Sequence, residues 1–151
     1  MPERVRLLRE IGSGLKARYG GHAANMIRQA GGSAEDLVGR IAEAFPGFRD
    51  HAVYSGFQVF FYKRAQIFVG DVWGAFGGSG LGDFGDIHRL TMFADYRVPQ
   101  ILQAKGVMVY DQDLKALVDS GGELPSGSTA ESEIRAVTVQ VGAALTPDSA
   151  P

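Results

Sequence analysis

FYKRAQIFVGDVWGAF, Phe61 to Phe76, repeats its apolar residues at helical rather than strand spacing. Phe61, Ala65, Phe68, Val69, Val72, Trp73 and Phe76 fall on one wide face, which predicts a central helix buried on most sides. Lys63, Arg64, Gln66 and Asp71 occupy its other positions. Asp71, beside Gly70 on so apolar a helix, reads either as the partner of a nearby Arg or Lys or as an acid with chemical work.

Working back from this helix, Phe48 to Phe61 favours an extended or aromatic-packed segment without a visible partner strand. Before it, Ser33 with Asp36 reads as a shortened capping box that starts a helix carrying Leu37, Ile41 and Phe45 and ending at Pro46-Gly47. A short helix over Ala23 to Ala30 stops at Gly31-Gly32. The N-terminal stretch from Pro2 to Tyr19 is helical by its Val5, Leu8, Ile11 and Leu15 spacing. Gly12 and Gly14 weaken that helix by up to ~1 kcal/mol each, which close packing against a neighbour would explain.

Working forward, Gly74 to Gly82 has neither the Gly-Lys-Ser/Thr ending of a phosphate loop nor the G-x-G-x-x-G spacing, and reads as a flexible connection. FGDIHRLTMFADYRVPQILQAKG, Phe84 to Gly106, follows. Asp86 can cap a helix from Ile87 to about Phe93, and Pro99 opens a second short helix stopped by Gly106. A tight turn around Ala94-Asp95 then joins two short helices. Asp111 caps a helix over Leu114 to Val118. Ser128 with Glu131 forms a capping box for a last helix carrying Ile134, Val137, Val141 and Leu145. Thr146 to Pro151 reads as a frayed tail. The sum is all-α, a single helical domain over residues 1–151 with no internal repeat.

Composition narrows the function classes. The 151 residues are 45% hydrophobic and 21% charged, an ordinary soluble globular balance. A net charge of -2 supplies no overall basic field for a nucleic-acid polymer. The absence of cysteine removes disulfides, thiolate metal sites and a cysteine nucleophile. No apolar run approaches the ~20 residues of a membrane span, and MPERVRLLRE does not read as a signal peptide, so the expected compartment is the cytosol. His22, His51 and His88 lack ligand spacing, so neither a metal nor another cofactor is expected. No nucleophile elbow surrounds a serine; Ser79 and Ser126 sit among loop glycines.

Carboxylates among aromatics and bases remain. Within Phe93 to Gln100 an acid, two aromatics, a guanidinium and an amide sit inside an apolar frame of Ile87, Leu90, Val98, Ile101 and Leu102. Asp95 reads as a buried acid held by Arg97, as a helix cap before Pro99, or as a working acid. Asp71, Asp83, Asp86, Glu131 and Glu133, with Trp73, Phe84, Phe93 and Tyr96, complete the set. Aromatics that stack on a flat ring beside an acid that faces developing positive charge suit glycosidic bond cleavage. They also suit an aromatic core with surface acids.

FYKRAQIFVGDVWGAF, FGDIHRLTMFADYRVPQIL (Phe84 to Leu102) and ESEIRA (Glu131 to Ala136) together resemble the queuosine salvage protein family, over about Val5 to Leu145. The resemblance implies a fold related to the helix-hairpin-helix DNA glycosylases. It also implies hydrolysis of the N-glycosidic bond of queuosine 5′-monophosphate, which releases queuine for reinsertion into tRNA. By the same resemblance Asp95 is the catalytic carboxylate and Phe93 lines the base pocket. Tyr96, Arg97, Trp73, Asp71, Lys63 and Phe84 join Phe93 as expected substrate contacts, with Lys63, Arg64 and Arg97 the cations nearest the motifs for the 5′-phosphate. The implied partner is a small nucleotide. Family members are longer, and their N-terminal pocket histidine and C-terminal Asp-Tyr-type motif have no counterpart here. The chain thus resembles a central-to-C-terminal core. Two other readings follow from that: a non-catalytic remnant that binds a 7-deazaguanine base or nucleotide weakly, or a helix-hairpin-helix module on nucleic acid, which the net charge disfavours.

Overall fold

Ser33 and Asp86 lie far apart in sequence, yet together they start one helix. Ala34–Ala44 (α3) leaves its first N–H groups without intrahelical partners. The Ser33 hydroxyl oxygen accepts from Asp36 N–H (3.1 Å), the local cap that the sequence predicts. Asp86 supplies the rest: its carboxylate accepts from Ala34 N–H (2.5 Å), Glu35 N–H (3.2 Å) and the Ser33 hydroxyl (2.8 Å). Asp86 was expected to cap a helix of its own. Only a single 3-10 turn follows it, Ile87–Arg89, because its oxygens are committed to α3.

The computed structural model describes residues 2–145, so the expected frayed tail lies outside the described residues. Among them the chain is mostly helical, with seven α-helices, three 3-10 turns and one short hairpin. They gather into two compact units. One takes the chain up to Asp50 with Tyr62–Leu90; the other takes His51–Phe61 with the described residues from Thr91 onward.

In the first unit, Pro2–Tyr19 (α1) and Ala23–Gln29 (α2) precede α3, and Lys63–Ala75 (α4) follows it. Ile11, Leu15 and Tyr19 turn α1 onto the core, whereas Val5 and Leu8 stay exposed. Gly14 is explained by close approach, since a Cβ there would meet the Phe45 ring at 2.7 Å; Gly12 has no such neighbour. Leu37 and Ile41 of α3 pack with Ala65 and Val69 of α4, all essentially buried. Ala65, Val69 and Val72 are buried residues of α4 that belong to this core. The burial of α4 on most sides does not form. Its C-terminal turn runs past the packed face, and Trp73 and Phe76 are 45% and 47% exposed.

The start of α4 is also capped from elsewhere. Tyr62 takes a left-handed conformation (φ 48°), and Lys63 N–H donates to the Asp50 carboxylate (2.9 Å). Tyr62 N–H donates to the Asp50 carbonyl (3.1 Å), so Asp50 closes the base of the excursion that carries residues 51–61. After α4, the glycine-rich connection is folded back rather than loose. Gly82 is buried, and a Cβ on it would meet Phe76 Cβ at 2.8 Å and the Val72 carbonyl at 2.9 Å.

The second unit holds the partner strand that the sequence reading did not find. His51–Tyr54 (β1) and Phe57–Phe60 (β2) pair antiparallel, with Ala52 opposite Val59 and Tyr54 opposite Phe57. Ser55 and Gly56 make the two-residue turn with φ of 49° and 84°, the positive values that primed hairpin turns require. Ala52 and Val59 face a small core with Phe61, Ala94, Ala136 and Val139. Val98–Ala104 (α5), Gln112–Asp119 (α6) and Thr129–Leu145 (α7) complete the unit. Asp111 accepts from Leu114 N–H (2.8 Å) to cap α6, as expected. At α7, Ser128 accepts from Glu131 N–H (3.3 Å), while Glu131 reaches back to Gly127 N–H (3.0 Å), a capping box displaced by one residue. The buried positions of α7 are the small Ser132, Thr138 and Gly142, with Val137 and Leu145 exposed. The expected pair of short helices around Ala94-Asp95 is replaced by the 3-10 turn, an irregular stretch and then α5. No described helix is long and apolar enough to cross a membrane.

Two predictions test these packing assignments. Burial pushes the Asp86 carboxyl up, but hydrogen bonds from Ala34, Ser33 and Glu35 outweigh it and hold it below its ordinary value. Its contribution is therefore complete above the usual aspartate range and is lost as pH falls through the folded-state value. Asp86→Ala lowers stability by about 1–2 kcal/mol near neutrality. In melts from pH 7 to pH 3 the gap from the parent narrows towards acid, and a gap that stays constant contradicts the assignment. Gly82→Ala forces backbone and Phe76 apart and destabilises by about 1–3 kcal/mol. Gly39→Ala, mid-α3 with open space around it, stabilises by up to ~1 kcal/mol. Equal effects of the two substitutions would refute the close packing at Gly82.

Candidate functional site

The stretch Phe93 to Val98 is fixed by its own polar groups. Asp95 N–H donates to the Phe93 carbonyl (2.8 Å), which folds the chain sharply before the acid. Asp95 Oδ1 then accepts from Arg97 N–H (2.8 Å) and Val98 N–H (2.9 Å), the first amides of α5. Aspartate does this because its short carboxylate reaches backbone donors two and three residues on. Pro99, buried in the first turn of α5, needs no N–H partner there. The cap and the candidate acid are thus one residue, and capping locks the side chain at the helix start.

Around Asp95 the side chains divide by exposure. Ala94 is buried, Phe93 and Asp95 are half-buried, and Tyr96 is 70% exposed. The Arg97 guanidinium lies over the Tyr96 ring at 5.3 Å from its centroid. The backbone N–H groups of Arg97 and Val98 hold Asp95 Oδ1, which is the helix-cap reading of this acid. The unit thus brings Phe93, Asp95, Tyr96 and Arg97 together on one short segment. A negatively charged oxygen pair, two aromatic faces and a cation there can engage a base, a cationic centre and an anion.

The other expected contacts belong to the first unit. Lys63 is the first residue of α4, with its backbone N–H bonded to Asp50. Arg64 is engaged, hydrogen-bonded to the Gly47 carbonyl and lying 5.7 Å over the Phe48 ring. Asp71 is exposed on α4 and makes no ion pair among the described residues, so its reading as a structural partner is not what forms. Trp73 is not buried as expected; its indole borders the glycine connection, where a Cβ on Gly78 would lie 3.1 Å from Nε1. Phe84 is 5% exposed in the first unit's core with Leu37 and Val69. It anchors the chain beside Gly85, whose N–H donates to the Gly32 carbonyl (3.0 Å), and so sets up the Asp86 cap.

One residue beside the site escaped the sequence reading. Arg135 lies within ESEIRA, and its side chain, 13% exposed, donates from Nε to the carbonyl of Ala94 (3.3 Å). Its signal was a lone cation inside an otherwise apolar helical run, four residues after Glu131. Among the described residues no group of three or more His, Cys, Asp and Glu side chains could hold a metal ion.

The family model described as "Queuosine salvage protein" matches residues 1–146. The chain is 56% identical over 139 residues to the queuosine 5′-phosphate N-glycosylase/hydrolase of Dictyostelium discoideum, covering 92% of this chain and 43% of that protein. Likeness to the protein of the same name from Sphaerobacter thermophilus is 50%, over 92% of this chain and 43% of the relative. For the Mus musculus protein it is 43%, over 92% and 41%. The chain therefore spans about two fifths of the length of these relatives. With the match running through the Asp95 segment and the Arg135 helix alike, the chain belongs to the queuosine salvage protein family.

Proposed function

We propose that this chain carries the catalytic carboxylate of an N-glycosidase that hydrolyses queuosine 5′-phosphate and releases queuine for salvage into tRNA. The observation that carries the reading is Asp95, a half-buried acid with one oxygen taking two backbone N–H bonds, on an aromatic segment. The names of the relatives support the substrate and the bond cleaved, and give the weak-binding remnant no comparable support.

The chemistry sets what Asp95 must do. The bond that breaks joins the anomeric carbon to the base nitrogen, and its electron pair leaves with the base. A 7-deazaguanine base lacks the ring nitrogen that purine hydrolases protonate, so departure depends on hydrogen bonds to its pyrimidine edge and on stacking. Phe93 and Tyr96 provide the aromatic faces on the Asp95 segment. Positive charge grows on the sugar as the base leaves, and a preoriented carboxylate stabilises it or attacks it. Water then adds to the anomeric carbon, its hydroxyl staying on the sugar and its proton balancing the departed base. The products are ribose 5-phosphate and queuine.

Arg97 is the proposed phosphate partner from the same segment, presented by its stack on Tyr96. Lys63, Asp71 and Trp73 present accessible groups and remain proposed substrate contacts. Phe84 enters the proposal through packing alone. A fold relationship to the helix-hairpin-helix glycosylases is proposed on the mostly helical architecture and the shared bond type, and the cytosol as compartment on composition.

Asp95→Asn separates the cap from the chemistry. Asparagine keeps an oxygen for the Arg97 and Val98 amides, so melting stays close to the parent. The charge opposite the developing cation is gone, so turnover of queuosine 5′-phosphate falls roughly 10²-fold or more. Asp71→Asn, on an exposed and unpaired site, changes stability by less than about 0.5 kcal/mol. Queuine release by chromatography and parallel thermal melts check both. A folded Asp95→Asn protein with near-parental turnover would make Asp95 a cap and nothing more.

A further inference from the structure

Arg135 holds a carbonyl, a ring and a carboxylate at once. Its Nε donates to the Ala94 carbonyl (3.3 Å), and its guanidinium carbon stands 4.0 Å over the centroid of Phe61. Its Nη1 lies 3.5 Å from Glu131 Oε1. All these groups belong to the second unit, and Ala94 and Phe61 are both 5% exposed in its small core. A guanidinium suits this place because its plane stacks on an aromatic ring while its edge still presents donors in a fixed fork. A lysine ammonium has the charge without the plane.

The Ala94 carbonyl is the other end of the peptide whose N–H belongs to Asp95. That peptide therefore makes two opposed bonds: its oxygen accepts from Arg135, and its N–H donates to the Phe93 carbonyl (2.8 Å). Its plane is fixed from both sides, and with it the direction in which Asp95 leaves the backbone. Oδ1 is then caught by the start of α5. Catalysis by a preoriented charge is sensitive to ångström-scale displacement, so a group that fixes this peptide acts on the chemical step without touching substrate.

We propose that Arg135 is a positioning residue for Asp95, clamping the 94–95 peptide from α7 through its hydrogen bond and its stack on Phe61. The inference rests on the reading of Asp95 as the catalytic carboxylate. It predicts an effect on kcat rather than on KM, because the clamp orients the reacting acid and leaves the segment's aromatics in place.

The test compares Arg135→Lys and Arg135→Met with the parent chain. Steady-state queuine release from queuosine 5′-monophosphate, thermal melts and amide hydrogen exchange of residues 93–98 are measured together. In folded Arg135→Met, kcat falls roughly 10- to 100-fold with KM within about threefold, and exchange of the Asp95 and Arg97 amides accelerates. Arg135→Lys recovers part of kcat. A folded Arg135→Met protein with parental kcat and parental exchange overturns the proposal, as does a loss that falls entirely on KM. If the parent itself releases no queuine, the functional reading fails. The exchange data then still decide whether Arg135 holds the segment: accelerated exchange keeps the clamp, and unchanged exchange removes it.

Discussion

Four of the seven described helices start on an aspartate carboxylate, and that constraint orders much of the architecture. A helix leaves its first amides without partners, and a nearby carboxylate satisfies them while complementing the positive end of the dipole. Asp86 does this for α3, Asp50 for α4, Asp95 for α5 and Asp111 for α6. Two of the four act from a distance in sequence, and these set the chain path. Asp86 ties the segment after the glycine connection to the start of α3. Asp50 closes the base of the excursion that carries the hairpin.

Asp95 shares this geometry and differs in what surrounds it. The other three caps lie among ordinary turn and helix residues, whereas Asp95 sits between two aromatics, beside an exposed cation, on a peptide clamped by Arg135. A cap requires only one good oxygen. The extra fixation of the preceding peptide is not needed to begin a helix of seven residues, and the catalytic role proposed for Asp95 gives it a purpose. Capping and chemistry are compatible because the same carboxylate can accept backbone N–H groups and face developing positive charge.

Periodicity and local caps made much of the fold legible. The ranges of α1 and α3, the Ser33 and Asp111 caps, and the glycine stops follow from residues close in sequence. Contacts that cross the sequence were not visible in this way. Asp86 reads as a local cap because its real partners are some fifty residues upstream. The hairpin was missed although Ser55-Gly56 is a turn signal, since strands of four residues give too short an alternation to establish pairing. Trp73 and Phe76 illustrate the opposite error: the apolar face of α4 is longer than the surface it packs against, and period alone does not show where a partner ends. In the candidate site, Asp95 and its aromatic neighbours stood out as unusual chemistry in an apolar frame. Arg135 did not, because its meaning lies in a carbonyl forty-one residues away.

Incubating the protein with queuosine 5′-monophosphate and quantifying products by mass is the most direct measure of the central claim. The account predicts equal amounts of queuine and ribose 5-phosphate, with oxygen from labelled water at the anomeric carbon of the sugar. Nucleotide recovered intact from folded protein that binds it would contradict the account.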